Sequence, residues 1–272
     1  MSVLDVGSGI SLARVAAGGA IGDGATPVHI HGYNPAVALG SHETIWPTGG
    51  LQPNILSAAT SVEVVSSSAD DASAGIGART VRVHFLDANY AEGTEDVTMN
   101  GITAVAMTNQ VIAVNKIEVL TVGSSGVAKG LIDVRTVSGG TVMRRFYNGT
   151  IGYGDQNGFY SVPANHKLLI FNELWEMETL EANQLVHYYL KITGPRQSTN
   201  SNPWVSTFYS HGLNQGNNWG PVSFKHDVPI VINEKQAVEA TAIVSAGTVG
   251  DRAVRCLLEG VLVDTTKNIL GV

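Results

Sequence analysis

The stretch TVRVHFL, residues 80–86, decides the fold class that the sequence predicts. Val81, Val83 and Phe85 alternate with polar residues, and successive side chains of an extended strand point to opposite faces. The three apolar side chains therefore share one face, which is the pattern of a half-buried β-strand. Residues 61–65 alternate in the same way, and a segment rich in Ser, Ala, Asp and Gly (66–77) separates the two strands.

Outward from this stretch, strand-like runs and turn signals follow each other about every ten residues. Asn100-Gly101 predicts a hairpin between residues 95–99 and 102–105. The composition of residues 174–184 favours either a helix or a long hairpin with a charged tip. We therefore predict an all-β fold with two antiparallel β-sandwich or jelly-roll-like domains. The other predicted strands cover residues 111–122, 130–137, 141–147, 158–162, 167–177, 184–192, 221–232, 237–244 and 252–263.

The N-terminal residues 1–45 are rich in glycine, which interrupts every periodic pattern and supplies no side chain to bury. Only residues 28–31 could form a short strand there. We expect an extended arm that lies on a neighbouring subunit. Ser138-Gly139-Gly140 predicts a linker, so the first domain would span residues 46–138 and the second residues 139–272.

The composition of this 272-residue chain indicates a surface that other subunits cover. Charged residues make up only 14%, against about a quarter in soluble domains. We expect a homo-oligomer, with a trimer favoured. The net charge of −7 and the absence of a basic stripe exclude nucleic acid and acidic membranes as expected partners. The sequence also shows no signal peptide and no apolar run of membrane-spanning length.

The side chains with potential chemistry favour a protein without a catalytic site. Cys256 lies in an apolar strand-like run and is expected to be a buried thiol in a protein assembled in a reducing cytosol. His29 and His31 share one face of a strand and could approach a metal, but no further ligands are visible at matching spacing, so no metal is predicted.

Two acidic groups are expected to be solvated: Asp70-Asp71 in the loop, and Glu173 with Glu176. No Gly-x-Ser-x-Gly elbow is present, and the histidines are scattered. We therefore expect no enzyme activity and no cofactor.

Residues 194–220 form a long polar segment that carries aromatic side chains. Long segments of this kind tend to be functional, although the aromatics could equally form a small satellite core. The arm, the start of the first domain and this segment supply the predicted interface residues, which are Val28, Ile30, Tyr33, Asn34, Pro35, Trp46, Trp204 and Trp219.

Several strings of the sequence resemble a family of virion structural proteins of tailed bacteriophages, common among aquatic and cyanobacterial phages. The resemblance touches most of residues 32–264 and leaves the preceding arm unmatched. It implies a β-sandwich protein of the capsid surface, neck or tail, without a cofactor or an active site. The strings are GYNP (32–35), HETIW (42–46), GG (49–50), GARTV (77–81), LDANY (86–90), VTMNG (97–101), Asn109, FYSVPA (159–164), VPIVI (228–232) and Glu234-Lys235.

Three functions remain open at this point. The first is a capsid cement or decoration protein, assembled in the host cytoplasm, that binds the major capsid protein or an adjacent virion protein on the outer surface of a phage head and stabilises it. The second is a neck, tail or receptor-binding component of the particle. The third is a carbohydrate-binding β-sandwich module that uses loop tryptophans such as Trp46, Trp204 and Trp219.

Overall fold

The computed structural model describes residues 24–52, 55–148, 153–177, 185–194, 209–212, 221–245 and 252–267. These residues confirm the all-β prediction, and none of the described segments forms a helix that could cross a membrane. In chain order the strands are β1 (Ala25–Val37), β2 (His42–Thr44), β3 (Thr60–Ser66), β4 (Ala78–Leu86), β5 (Glu92–Thr98), β6 (Val105–Val111), β7 (Ala113–Val122), β8 (Ile132–Thr136), β9 (Val142–Asn148), β10 (Tyr153–Asp155), β11 (Phe159–Ser161), β12 (His166–Met177), β13 (Leu185–Thr193), β14 (Tyr209–Gly212), β15 (Val222–Ile232), β16 (Ala237–Ser245) and β17 (Arg252–Asp264).

The jelly-roll domain, residues 25–45 and 159–264, consists of two antiparallel sheets. One has the order β1-β17-β12-β15, and the other has the order β11-β16-β13-β14 with β2 also paired to β16. From β15 to β17 each successive strand changes sheet, and β1 and β2 do the same, which is a double-sheet jelly-roll arrangement. The two sheets share one apolar core, in which the rings of Trp175 and Tyr188 stack with centroids 4.6 Å apart.

The inserted domain, residues 60–155, is a second sandwich that interrupts the jelly roll between β2 and β11. Its sheets have the orders β10-β9-β8-β3-β6 and β5-β4-β7. Both β2 and β11 pair with β16, and Gly158 N donates to Ile45 O at 2.9 Å. The chain therefore leaves and re-enters the jelly roll at adjacent points.

Strand β4 shows the predicted alternation. Val81 and Val83 are fully buried and Phe85 is 5% exposed, all in the core of the inserted domain. Opposite Phe85 stands Gly93, where a Cβ atom would come within 2.7 Å of the Phe85 ring. Glycine at this position leaves room for the aromatic ring between the strands.

The strand pairing corrects the predicted domain boundaries. Residues 25–44 are not an arm on a neighbouring subunit, because β1 pairs with β17 and β2 with β16 of the same chain; residues 1–23 lie outside the described residues. Nor is Ser138-Gly139-Gly140 a linker: it is the turn between β8 and β9 of one sheet, with φ of 64° at Ser138 and 70° at Gly139. Glycine marks a backbone turn here and not a domain boundary.

The structure also corrects two predicted hairpins. Asn100-Gly101 does form a turn, with φ of 61° at Gly101 and a 3.1 Å hydrogen bond from Thr103 N to Asn100 O. However, β5 and β6 on either side belong to different sheets. Likewise β12 and β13 lie in opposite sheets, so the hairpin considered for residues 174–184 does not form; β12 continues as a strand to Met177, and residues 178–184 lie outside the described residues.

Candidate functional site

Most of the described residues predicted for an interface are buried inside the chain itself. Ile30 is part of the jelly-roll core, and Tyr33 packs edge-on against Tyr147 of the inserted domain, with ring centroids 5.6 Å apart. Val28 is half-buried and Pro35 is exposed. Among the described residues of this set, an interface role therefore stays a prediction for Val28 and Pro35.

Asn34 and Trp46 are likewise internal, being 1% and 4% exposed. Asn34 Nδ2 donates to Glu43 Oε2 at 2.9 Å, and Trp46 Nε1 donates to Gly49 O at 2.9 Å. These hydrogen bonds stabilise the conformation of the segment between β1 and the inserted domain. Trp204 and Trp219 lie outside the described residues.

The histidine pair of β1 does not gather further ligands. His29 and His31 are both exposed on one face, and His29 Nδ1 lies 3.7 Å from Glu259 Oε1. The described part of the chain contains no group of three His, Cys, Asp or Glu side chains that could hold a metal ion.

Cys256 is a buried free thiol, as predicted, and burial raises its pKa. Glu173 was expected to be exposed but is 1% exposed, with His226 Nε2 at 2.7 Å and the Trp175 indole N–H donating to it at 3.0 Å. Burial raises the pKa of Glu173, and the hydrogen bonds from His226 and Trp175 oppose that rise. The contact between Glu173 and His226 joins β12 to the edge strand β15.

The junction between the domains is built around Arg144 of β9. Its guanidinium is buried, and Nε donates to both carboxylate oxygens of Asp155 at 3.0 and 2.9 Å. Nη1 donates to Val114 O of the inserted domain and to Phe159 O of the jelly roll, at 3.2 and 3.3 Å. One cation therefore bonds to both domains. Its neighbour Arg145 is also paired, with Asp133 at 2.6 Å.

Two further contacts fix the orientation of the domains. Asn115 of β7 and Ser161 of β11 exchange a reciprocal pair of hydrogen bonds, at 2.8 and 2.9 Å. Ala164 N donates to Tyr90 O at 2.9 Å beside a small apolar cluster that includes Leu86 and Ile112. These hydrogen bonds and the shared apolar cluster restrict how the two domains can move relative to each other.

The opposite end of the inserted domain carries what we call the distal loops, residues 66–78, 99–104 and 120–131. Strand β4 runs from these loops to Leu86 at the junction, a distance of about 27 Å for nine extended residues. Three loop segments from different parts of the sequence meet here.

Asp71 joins the distal loops, although it was expected to be solvated. It is fully buried. Its Oδ1 accepts hydrogen bonds from the amides of Ala78 and Lys129 at 2.7 and 2.8 Å. Its Oδ2 accepts from Ser66 Oγ at 2.6 Å and from Gly130 N at 2.8 Å. Its main-chain oxygen accepts from the amide of residue 101, so one residue connects all three segments.

The distal loops also expose apolar side chains, which sequence reasoning missed because these residues lie in turns and at strand ends and not in a periodic run. Five of the ten large hydrophobic side chains that the described residues expose lie here. They are Ile76 at 45%, Ile102 at 67%, Leu120 at 36%, Val122 at 36% and Val127 at 42% exposed.

Comparison with known proteins gives no family for this chain. No family model and no curated protein matches it. Among solved structures it is similar to infectious bursal disease virus of the Gx strain (12% identity, 90% of this chain and 73% of that chain, TM-score 0.24). It is also similar to the VP2 subviral particle of that virus (13% identity, 92% and 74%, TM-score 0.24). Neither of these two structures is a tailed-phage virion protein, and their TM-scores do not establish a common fold, so the jelly-roll assignment rests on the strand order.

Proposed function

We propose that this chain is a virion structural protein whose jelly-roll domain anchors it to a capsid while the inserted domain projects. One observation carries the proposal: a jelly roll is interrupted by a second sandwich that is locked to it through the buried Arg144. Double-sheet jelly rolls recur in viral capsid proteins and in lectins. A rigid two-domain scaffold suits assembly, in which each copy must present its surfaces in a fixed orientation.

We propose the narrower role of a capsid cement or decoration protein on the outer surface of a phage head, with the major capsid protein as the partner. The net charge of −7 supports an outer position, since a DNA-filled interior favours basic surfaces. The low share of charged residues supports extensive contact with neighbouring subunits. Assembly in the host cytoplasm and a trimeric state remain predictions.

One of the three tryptophans considered for carbohydrate binding is not accessible to a sugar. Trp46 is 4% exposed, and its indole N–H is bonded within the chain, so it has no free face to stack on a sugar. The neck, tail or receptor-binding role stays the competing assignment, because the same scaffold would serve it.

Copy number distinguishes these roles. Quantitative mass spectrometry of purified particles would measure the chain relative to the major capsid protein. We expect on the order of hundreds of copies per particle for a decoration protein, whereas roughly six to a few dozen copies would assign it to the neck or tail. Absence of the chain from purified particles would overturn the virion role altogether.

A further inference from the structure

We infer that the distal loops form a self-association surface, through which one copy of this chain meets another loop to loop. The first observation is the group of exposed apolar side chains, with Ile102 at 67% and Ile76 at 45% exposed. Exposed apolar side chains that cluster at one end of a domain mark an interaction site more often than scattered ones do. The inference concerns the isolated chain and does not depend on the virion role.

The second observation is that hydrogen bonds hold the distal loops in one conformation. Association would therefore order few additional groups. Asp71 accepts four hydrogen bonds through its side chain and is fully buried. A Cβ at Gly77 would lie 2.1 Å from Asp71 Oδ1, and Gly101 has φ of 61°. The backbone is thus fitted closely around one carboxylate. A surface held in its bound shape loses less entropy on association.

The third observation concerns charge and selects a second copy as the partner. The exposed charges of the distal loops are Asp70 and Lys129, which have opposite signs, and neither forms an ion pair within the described part of the chain. Arg79, at the base of the loops, is held by a 2.9 Å bond from its Nε to Gly75 O. Asp70 and Lys129 both adjoin the Asp71 cage, so they lie on the same end of the domain.

A symmetric contact between two copies can pair these opposite charges. In an association of identical surfaces, Asp70 of one copy can face Lys129 of the next, and the reverse. A partner surface that carries charges of only one sign would instead be repelled by either Asp70 or Lys129 in every orientation. Together with Arg79 at their base, the loops carry two acidic and two basic side chains, so two copies can approach there although each carries a net charge of −7.

Sedimentation equilibrium of the purified full chain over a concentration series would test the inference. We expect concentration-dependent self-association, and we expect Ile102→Asp and Ile76→Asp each to raise the dissociation constant by about tenfold or more. Val137→Asp is the matched control: Val137 is 40% exposed in the same domain, but its amide bonds to Ser61 O at the other end of β3. This variant should associate like the unmodified chain.

A charge exchange gives a second test that does not rely on removing apolar surface. Asp70→Lys and Lys129→Asp should each weaken association, because each places like charges opposite one another. The double variant D70K/K129D should restore it. A chain that stays monomeric at all concentrations up to about 1 mM would overturn the inference. So would equal losses in Ile102→Asp and Val137→Asp, or a double variant that is weaker than both single ones. An overturned virion role would leave all these outcomes unchanged.

Discussion

Replacing Asp71 by Asn should destabilise the inserted domain strongly, although Asn has nearly the same size and shape. The Asp71 carboxylate accepts four hydrogen bonds, three of them from backbone amides. An amide group has only one acceptor oxygen, and its NH2 group would face at least one backbone N–H. The amide of Gly130, or those of Ala78 and Lys129, would then be buried without an acceptor.

The magnitude follows from these bonds. An orphaned buried N–H costs about 1–3 kcal/mol, and each bond that remains loses the part of its strength that came from the charge, about 1 kcal/mol. With two bonds retained, the expected loss of unfolding free energy is about 3–5 kcal/mol. That is a large share of the stability of a domain of this size.

Urea unfolding, followed by far-UV circular dichroism, measures this loss. Asp70→Asn is the matched control, because Asp70 is the adjacent residue, is exposed, and its carboxylate makes no hydrogen bond or ion pair in the described part of the chain. The control should stay within about 0.5 kcal/mol of the unmodified chain. Equal and small effects of Asp71→Asn and Asp70→Asn would show that the four hydrogen bonds to Asp71 do not stabilise the domain.

Three further predictions concern the junction, a sheet edge and the thiol. Arg144→Met should lower the unfolding free energy by about 3–5 kcal/mol, since it leaves the Asp155 carboxylate, only 10% exposed, without its cation; urea unfolding would show this, and a loss below about 1 kcal/mol would contradict it. Burial raises the pKa of Glu95, but hydrogen bonds from two backbone amides of β6 outweigh it and leave the pKa below its usual 4.5. The stability that Glu95 provides should therefore be complete above about pH 4.5 and decrease as the pH falls through the lower folded pKa, so the difference in urea midpoint between the unmodified chain and Glu95→Gln should shrink in acid; a constant difference would contradict it. Cys256 is buried with a raised pKa, so it should react with a thiol reagent only after denaturation; rapid labelling of the folded chain would disprove this.

The strands were largely predictable because alternation records burial on one face of a sheet. The predicted range 167–177 corresponds to β12, and 252–263 corresponds to β17, with boundaries within one residue. The Asn100-Gly101 signal specified the local turn correctly but could not specify which strands pair, because pairing depends on residues far away in the chain. For the same reason the insertion between β2 and β11 was not visible.

The N-terminal arm was a wrong prediction for residues 25–44 for a physical reason. Glycine and proline argue against a central strand, but β1 is an edge strand, where proline is tolerated. Gly32 fits there because Cys256 Sγ fills the space that a side chain would need, 2.6 Å from a Cβ at that position. Gly32, which interrupts the apolar pattern of the sequence, is therefore explained by its close packing against Cys256.

Asp70 and Asp71 show why the candidate site could not be found from the sequence. The two residues are identical and adjacent, yet only Asp71 is buried and bonded to three loop segments. The difference arises from residues near position 130, which reach Asp71 only in the folded domain. The exposed apolar side chains of the distal loops have the same origin, since they are brought together by that fold.

In the arrangement that we propose, the jelly roll anchors this chain to a capsid while the inserted domain projects. A cryo-electron microscopy reconstruction of purified particles tests it most directly. We expect jelly-roll density against the outer surface of the head, with the inserted domain pointing away and its distal loops about 27 Å from the junction. Heads that lack this density, or density in which the inserted domain contacts the shell and the jelly roll points away, would contradict it.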